Sequence, residues 1–507
     1  MTLLPAVLGA IVSGIALQLT FYLLKQRRVN AQAVSRGCQP APVADSASIW
    51  LFGLPILWSM IKADRDQCRP QLFAKSFDDL GRVHTVRKAI LGFRILATRD
   101  PVNVKFIYQS PSFDIGPARS QALMPLIGLG AFTAKSTSKN YRSFVRSHLS
   151  LDKVSRIEVR QTHIQYLLQS ISIGEDGWTT KIDLAPLFFH FTLDIASEIV
   201  WGKSVDSQAA AVPSRGGSKI LLEQCFDSGK SFMAKRCNFL SLYWLVDSFG
   251  FRSVCAQLHH EVDKLVEGRL NSDPSIGGEQ PVILDEIVKS TQNRVDLRNQ
   301  TLNLLMAIRD PAAALLGWTF YHLARHPKVF AKLRMAILES FGKEPITMLD
   351  LAKFHSCAYL QHCIQEAHRI SAIVPLNERF AVQDIDLPRG GGLDGTKPVF
   401  VPKGTHILIA NYAMQRHPEF WGSDADLFIP ERWERRKVGA EYSPFGGGQR
   451  GCLGPKFGHA IVASMTIQLL QRFDSIENLE FAPVRYRETF ESHSGNGVVV
   501  RLHNADD

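Results

Sequence analysis

A mainly α fold with a small β region, preceded by one N-terminal transmembrane helix, is what this sequence predicts. Three observations carry that expectation. Apolar residues recur at three- and four-residue spacing through most of the chain, the pattern of helices with one buried face. β-Branched runs bounded by Gly and Pro are short and few. Residues 3–24 carry no charge and are rich in Leu, Ile, Val, Ala and Phe.

Residues 3–24 come first. As a helix they reach about 33 Å, enough to cross a bilayer core. Lys25, Arg27 and Arg28 follow at once, and no Lys or Arg precedes the stretch. The positive-inside rule then places the rest of the chain in the cytoplasm. Ala31-Gln32-Ala33 resembles a signal-peptide cleavage site, but a signal peptide carries its positive charge ahead of the apolar stretch. The reading is an anchor over 1–24, a basic, Pro-containing linker over 25–50 and one folded unit over 51–507. Gly37-Cys38-Gln39-Pro40-Ala41-Pro42 stiffens the linker.

Composition narrows the function. The chain has 507 residues, 45% of them hydrophobic, and a net charge of +10. That hydrophobic share excludes a disordered chain. The positive balance suits an anionic membrane surface or an acidic protein partner. No run of five Lys/Arg and no zinc-finger spacing occurs, so nucleic acid is not expected as a partner. The eight cysteines form no C-x-x-C pair, which points to reduced thiols and not to a disulfide framework. The sequon Asn299-Gln300-Thr301 is then expected to be unused.

Helical spacing covers 139–168, 184–200, 254–270 and 284–290. A long helix is expected from about 294 to 325, followed by helices over 328–341 and 358–370. A last helix over 455–473 has Pro455 at its start, where proline is favoured. Strands are expected at 86–97, 398–402, 405–409 and 498–502. Gly390-Gly391-Gly392 with Asp394-Gly395 marks a turn between strands; no helix opens after it, so it is no nucleotide loop.

The most informative stretch is Pro444-Phe445-Gly446-Gly447-Gly448-Gln449-Arg450-Gly451-Cys452-Leu453-Gly454. A Gly-rich loop delivers a cysteine to the start of a helix, where free N–H groups and the helix dipole favour a thiolate. Glycines let the backbone approach a flat ligand closely. Arg450 can meet a carboxylate, and Phe445 can shield the ligand. A phosphate loop would end in Gly-Lys-Ser/Thr, which is missing. The other plain alternative is a buried structural cysteine.

The stretch resembles the F-x-x-G-x-R-x-C-x-G signature of the cytochrome P450 family, matched by Phe445, Gly448, Arg450, Cys452 and Gly454. The resemblance implies haem b with the Cys452 thiolate on the iron. It also implies haem contacts from Phe445, Arg450, Arg142 and Arg379. Glu366-Ala367-His368-Arg369 matches the family's E-x-x-R motif. Phe428-Ile429-Pro430-Glu431-Arg432-Trp433 resembles its P-E-R-F segment, with Trp433 in place of Phe. Arg432 is then expected to join Glu366 and Arg369 in a buried structural network. Gly37-Cys38-Gln39-Pro40, Val374-Pro375-Leu376-Asn377, the turn at 390–395 and Val401-Pro402-Lys403-Gly404-Thr405 are similar to the fungal alkane and fatty-acid hydroxylase branch.

Two departures stand out. Ser138 replaces the Trp of the family's W-x-x-x-R, of which Arg142 keeps the Arg; Tyr141 is a possible substitute. The central helix reads Ala307-Ile308-Arg309-Asp310-Pro311-Ala312, where the family shows A/G-G-x-D/E-T-T. Asp310 is kept and is the expected catalytic residue. The Thr that helps move protons in the family is replaced by Pro311. That proline cannot donate to the carbonyl of Ala307, so the helix should kink and the carbonyl could hold a water.

The resemblance implies a monooxygenase acting with O2 on a small apolar substrate, a fatty chain or a secondary metabolite such as a polyketide or terpenoid. The chain has no flavin or nicotinamide motif of its own, so electrons must come from a partner, which the resemblance implies is NADPH-cytochrome P450 reductase. The expected location is the endoplasmic reticulum membrane, single-pass, with the catalytic unit cytoplasmic. Loss of the Thr keeps open a rearrangement or dehydration without O2, and a non-catalytic haem-binding protein.

Overall fold

The structure is a computed structural model that describes residues 20, 24, 26–44, 53–90, 93–135, 142, 157–210, 221–271, 282–344 and 356–505. The anchor expected over 1–24 lies outside the described residues except for Thr20 and Leu24. So do Ser138 and Tyr141.

One helix, Arg294–Arg325, organises the molecule. Its start is capped by the Asn293 side chain, which accepts from the N–H of Asp296 at 3.1 Å. Nearly every face of it is covered by other elements. The helix Leu184–Trp201 packs along it; the Asp183 side chain caps its start and Gly202, at φ 81°, ends it. Pro455–Arg472 and Ala358–Ile370 close the other sides. One large apolar cluster joins these helices through Phe188, Leu305, Leu316, Leu360 and Leu469.

The expected bounds 294–325 and 358–370 coincide with the observed helices, and 184–200, 254–270 and 455–473 differ only at their ends. The helix expected over 284–290 is shorter, Ile283–Val288. Of 139–168, the described part is helical within Ile157–Ser170. The single strand expected at 86–97 is instead two antiparallel strands, Thr85–Ile90 and Phe93–Thr98, with Ile90 opposite Phe93. The apolar run reads as one segment because the two strands differ little in composition.

The β region sits beside the helices. A five-stranded sheet has the order Thr85–Ile90, Phe93–Thr98, His406–Ile409, Asn377–Ala381, Phe113–Asp114. Arg379 is placed by this sheet, opposite Ile407. The glycine turn joins Ile385–Gly391 to Lys397–Val401 as expected. Val499–Asn504 pairs with Phe473–Asn478 and Ile182–Asp183.

The linker expected over 25–50 is partly structured. Residues 26–35 are helical, and Cys38 and Ala41 are buried. Gln39 donates its N–H to the Pro398 carbonyl at 2.9 Å, and Arg87 donates to that of Pro42 at 2.7 Å. This stretch is therefore docked on the sheet edge and is not a free tether.

Among the described residues, one helix is long and apolar enough to cross a membrane, Leu184–Trp201. It is mostly buried against the central helix, as a core helix of a globular unit would be.

Candidate functional site

The central helix carries the first sign of a ligand cradle. From Asn299 to Ala324 every residue is buried except Ala307 and Pro311. Four residues apart, they share one face. An accessible strip in the middle of an otherwise enclosed helix means that this face borders open space. The helix runs on through Pro311 without ending. The chemistry of the substitution stands, because no N–H at 311 can reach the Ala307 carbonyl.

The cysteine loop meets the expectation of a Cys presented at a helix start. Cys452 is exposed and lies three residues ahead of the helix Pro455–Arg472. Its N–H closes the loop on the Phe445 carbonyl at 2.8 Å. Gly448 has φ +61°, and a Cβ there would run into the Tyr108 carbonyl oxygen, so only glycine fits. Although its side chain is accessible, the protein walls around it partly desolvate the Cys452 thiol and push it up, while the backbone N–H of Gly454, the Arg142 guanidinium and the backbone N–H of Leu453 pull it down. Phe445 stands edge-on between His368 at 5.3 Å and His459 at 5.2 Å. Burial holds His368 down at about 3, so it adds no charge beneath the loop.

Three arginines named from the sequence gather around this loop. Arg142 donates to the carbonyls of Gln449 and Gly451, bracing the loop on either side of Arg450. Arg450 pairs with Asp114 at 2.6 Å and donates to the Ala134 carbonyl at 2.6 Å. Arg379 is buried and, among the described residues, donates only to Asn377 Oδ1 at 3.0 Å and the Glu378 carbonyl at 2.8 Å. No carboxylate among the described residues pairs with it, and burial lowers its pKa to about 10. A buried guanidinium lacking an anion is what a carboxylate-bearing cofactor would complete. The exposed cysteine, the accessible strip and Arg379 together fit a haem.

The expected structural network is present in full. Glu366 and Arg369 make two parallel contacts of 2.8 and 2.9 Å. Arg432 Nε reaches Glu366 at 3.0 Å, and the Ile429 N–H reaches it at 3.0 Å. Arg369 satisfies its remaining N–H groups on the carbonyls of Gln415, Ala425 and Leu427. Trp433 is more than a substitute for Phe. Its indole N–H donates to Glu366 at 2.9 Å.

Asp310 has partners that sequence reasoning missed. Its Oδ1 takes Lys230 Nζ at 2.9 Å and Arg309 Nη1 at 3.0 Å. Lys230 also reaches Glu491 at 3.5 Å, and Arg309 binds Asp227 at 2.6 Å and Glu223 at 3.0 Å. Asp310 Oδ2 is buried and has no partner among the described residues. Burial and the nearby Glu491 raise Asp310 to about 7, against the pull of Lys230 and Arg309. A cavity of about 340 Å³ touching His190, Lys230, Arg309 and His493 borders this cluster. A signal existed in Arg309, a cation next to Asp310 in the middle of the helix. Lys230 and Glu491 carried none.

Comparison with known proteins agrees with this geometry. A family model described as Cytochrome P450 matches residues 51–491. Cytochrome P450 monooxygenase g430 of Fusarium sp is 38% identical, over 98% of this chain and 90% of that protein. Cytochrome P450 52A13 of Debaryomyces hansenii is 34% identical, over 91% of each. Among solved structures, a cytochrome P450 titled CYP102L1 superposes with a TM-score of 0.71 at 20% identity, covering 86% of this chain and 94% of that one.

Proposed function

The chain belongs to the cytochrome P450 family, and from that premise we propose that it inserts one oxygen atom of O2 into an apolar organic substrate, drawing electrons from NADPH-cytochrome P450 reductase. The substrate is a fatty chain or a fungal secondary metabolite such as a polyketide or terpenoid. As a family member the chain is an oxidoreductase that uses a cysteine-ligated haem. The observation that carries the reading is an exposed Cys452 on a Gly-rich loop, in a molecule whose central helix bares only Ala307 and Pro311 between Asn299 and Ala324.

Bound haem supplies the oxidising chemistry, giving one oxygen atom to the substrate and the other to water at the expense of two electrons and two protons. Cys452 provides the thiolate, and Phe445 shields it from water. Arg379 would hold a haem carboxylate directly, with Arg450, anchored by Asp114, and Arg142, anchored on the loop carbonyls, flanking it. The Glu366 network fixes the loop side of the core. Asp310 holds a proton at Oδ2, the oxygen left without a partner, and a water on the freed Ala307 carbonyl can take it onward.

Two features support membrane attachment at the endoplasmic reticulum. One is the uncharged stretch 3–24. The other is an apolar patch on the folded unit. Leu54, Trp58 and Ile61 line one face of the helix Leu54–Arg65, and each is more than half exposed. Trp244, Leu245 and Phe249 are exposed on a neighbouring segment, which packs on that helix's buried side through Leu240. Exposed apolar side chains on both segments favour a membrane surface. The net charge of +10 suits an acidic reductase surface.

Pro311 favours one second reading, rearrangement or dehydration of a substrate without O2, because the family's hydroxyl is missing there. The deciding experiment is product analysis of the chain expressed with reductase, NADPH and O2, set beside Cys452→Ser. We expect oxygenated product from wild type only, and loss of the thiolate signature in the reduced carbon monoxide spectrum of Cys452→Ser. Product formed without O2 or reductase establishes the second reading. An unchanged spectrum in Cys452→Ser rejects Cys452 as the ligand.

A further inference from the structure

Away from the cysteine loop and the central helix, two histidines and a glutamate from distant parts of the chain meet at one seam. His84 directly precedes the strand Thr85–Ile90, while His417 caps the short helix Pro418–Trp421 and Glu419 lies in its first turn. One ligand atom of each residue lies within 4.8 Å of the other two. His84 Nε2 stands 3.0 Å from Glu419 Oε2. The two imidazoles meet edge to face at 4.9 Å, and the Phe420 ring packs against both, at 4.9 and 5.2 Å. The histidines are half-buried against that apolar wall, and Glu419 is exposed on the solvent side.

Charge at the seam leaves room for a cation. The neighbouring guanidinium, Arg99, is answered by Asp78 at 2.5 Å. With both imidazoles neutral, Glu419 then leaves the group with a net negative charge. Two imidazole nitrogens and one carboxylate oxygen are a donor set for zinc and similar transition cations, whereas magnesium and calcium prefer oxygen throughout. Bonds of about 2.0–2.2 Å to a tetrahedral ion put donors roughly 3.4 Å apart. The observed spacings bracket that value, the exposed Glu419 side chain can swing to adjust them, and water can complete the shell. One feature limits the affinity. His84 Nδ1 accepts from Arg99 Nε at 3.2 Å, and His417 Nδ1 accepts from the Glu419 N–H at 3.3 Å. A neutral imidazole has one ring lone pair, so a metal takes it at the expense of these long contacts.

We propose that His84, His417 and Glu419 form a second metal site, for a divalent transition cation of the zinc class, which staples the edge strand of the five-stranded sheet to the helix Pro418–Trp421. The site is separate from the haem iron and does not depend on which reaction the enzyme catalyses. Its affinity is moderate, because each histidine gives up a hydrogen bond when the cation binds.

The probe is zinc chloride, titrated by calorimetry into the untagged, full-length, haem-loaded protein after chelator treatment, with magnesium chloride as the contrast. Wild type should bind one zinc ion with a Kd on the order of 10 µM. Magnesium in hundredfold excess should not displace it. His84→Gln, His417→Gln and Glu419→Gln should each weaken binding about tenfold or more. Glu419 is exposed, so its variant tests the site even if a histidine variant fails to load haem. Hydrogen exchange locates the ion: zinc should slow amide exchange in the segments 83–90 and 417–422 of wild type and not of Glu419→Gln. No one-to-one zinc binding tighter than about 1 mM overturns the proposal. So does a Glu419→Gln protein that binds zinc as tightly as wild type, or protection confined to segments that carry cysteines. Equal binding of magnesium overturns the assignment to the zinc class.

Discussion

Asp310 is pulled in two directions. Water exclusion and Glu491 favour its neutral form, and two cations oppose them, leaving it poised at about 7. Below that pH the carboxyl holds its proton; above it the proton is lost. If Asp310 passes a proton during turnover, product formation per nicotinamide consumed should fall as pH rises through about 7. Asp310→Asn should lower the rate strongly, flatten that inflection and leave substrate affinity nearly unchanged, since the interaction matters only in the chemical step. An inflection that survives in the Asn variant rejects the proton route. The same shift bears on stability. A carboxyl with a raised folded pKa destabilises the fold as pH rises from its ordinary value near 3.8 toward 7. Glu491, lowered by Lys230, acts with the opposite sign. At this scale the sequence is legible where chemistry is local: Phe445, Arg450 and Cys452 sit within one loop. It is silent where partners are distant, as with Lys230 and Glu491, whose meeting only the fold creates.

Elements show the same division. Arg294–Arg325 and Ala358–Ile370 could be delimited because their apolar faces are long and their ends are marked. Leu221–Asn238 escaped notice because Lys230 and Arg236 are buried within it and interrupt the apolar stripe that reveals a helix. The Glu366 network ties the helix Ala358–Ile370 to the segment before the cysteine loop. Glu366→Ala would leave Arg369 and Arg432 without their shared anion, a loss of about 3–5 kcal/mol. The expected result is a protein that fails to retain haem and unfolds at lower temperature, measured by haem content and thermal denaturation. Trp433→Phe removes one donor and leaves both arginines paired, so it should cost only about 1 kcal/mol. A stable, haem-loaded Glu366→Ala protein would show that these contacts do not hold the core.

For the whole molecule, the membrane reading predicts two additive attachments. Deleting residues 1–24 should release part of the protein from membranes and leave a remainder bound through Trp58 and Phe249. Adding Trp58→Glu and Phe249→Glu should release that remainder. Flotation with phospholipid vesicles measures both. A full-length protein that stays in solution contradicts the anchor. A truncated protein unaffected by the two glutamates contradicts the patch. These side chains were not legible as a surface feature in the sequence, because only the fold decides that they stay exposed.

The helix Leu184–Trp201 has the length and apolar character of a membrane span, and its concealment depends on the central helix. That partner is made later. At about 5–20 residues per second, the interval between completing Trp201 and completing Arg325 is roughly 6–25 s. If residues 3–24 tether the nascent chain to a bilayer, as proposed, this apolar segment stays near lipid without its partner for that time. On that proposal, slowing translation between the two helices should raise the fraction of chains in which this segment also enters the lipid.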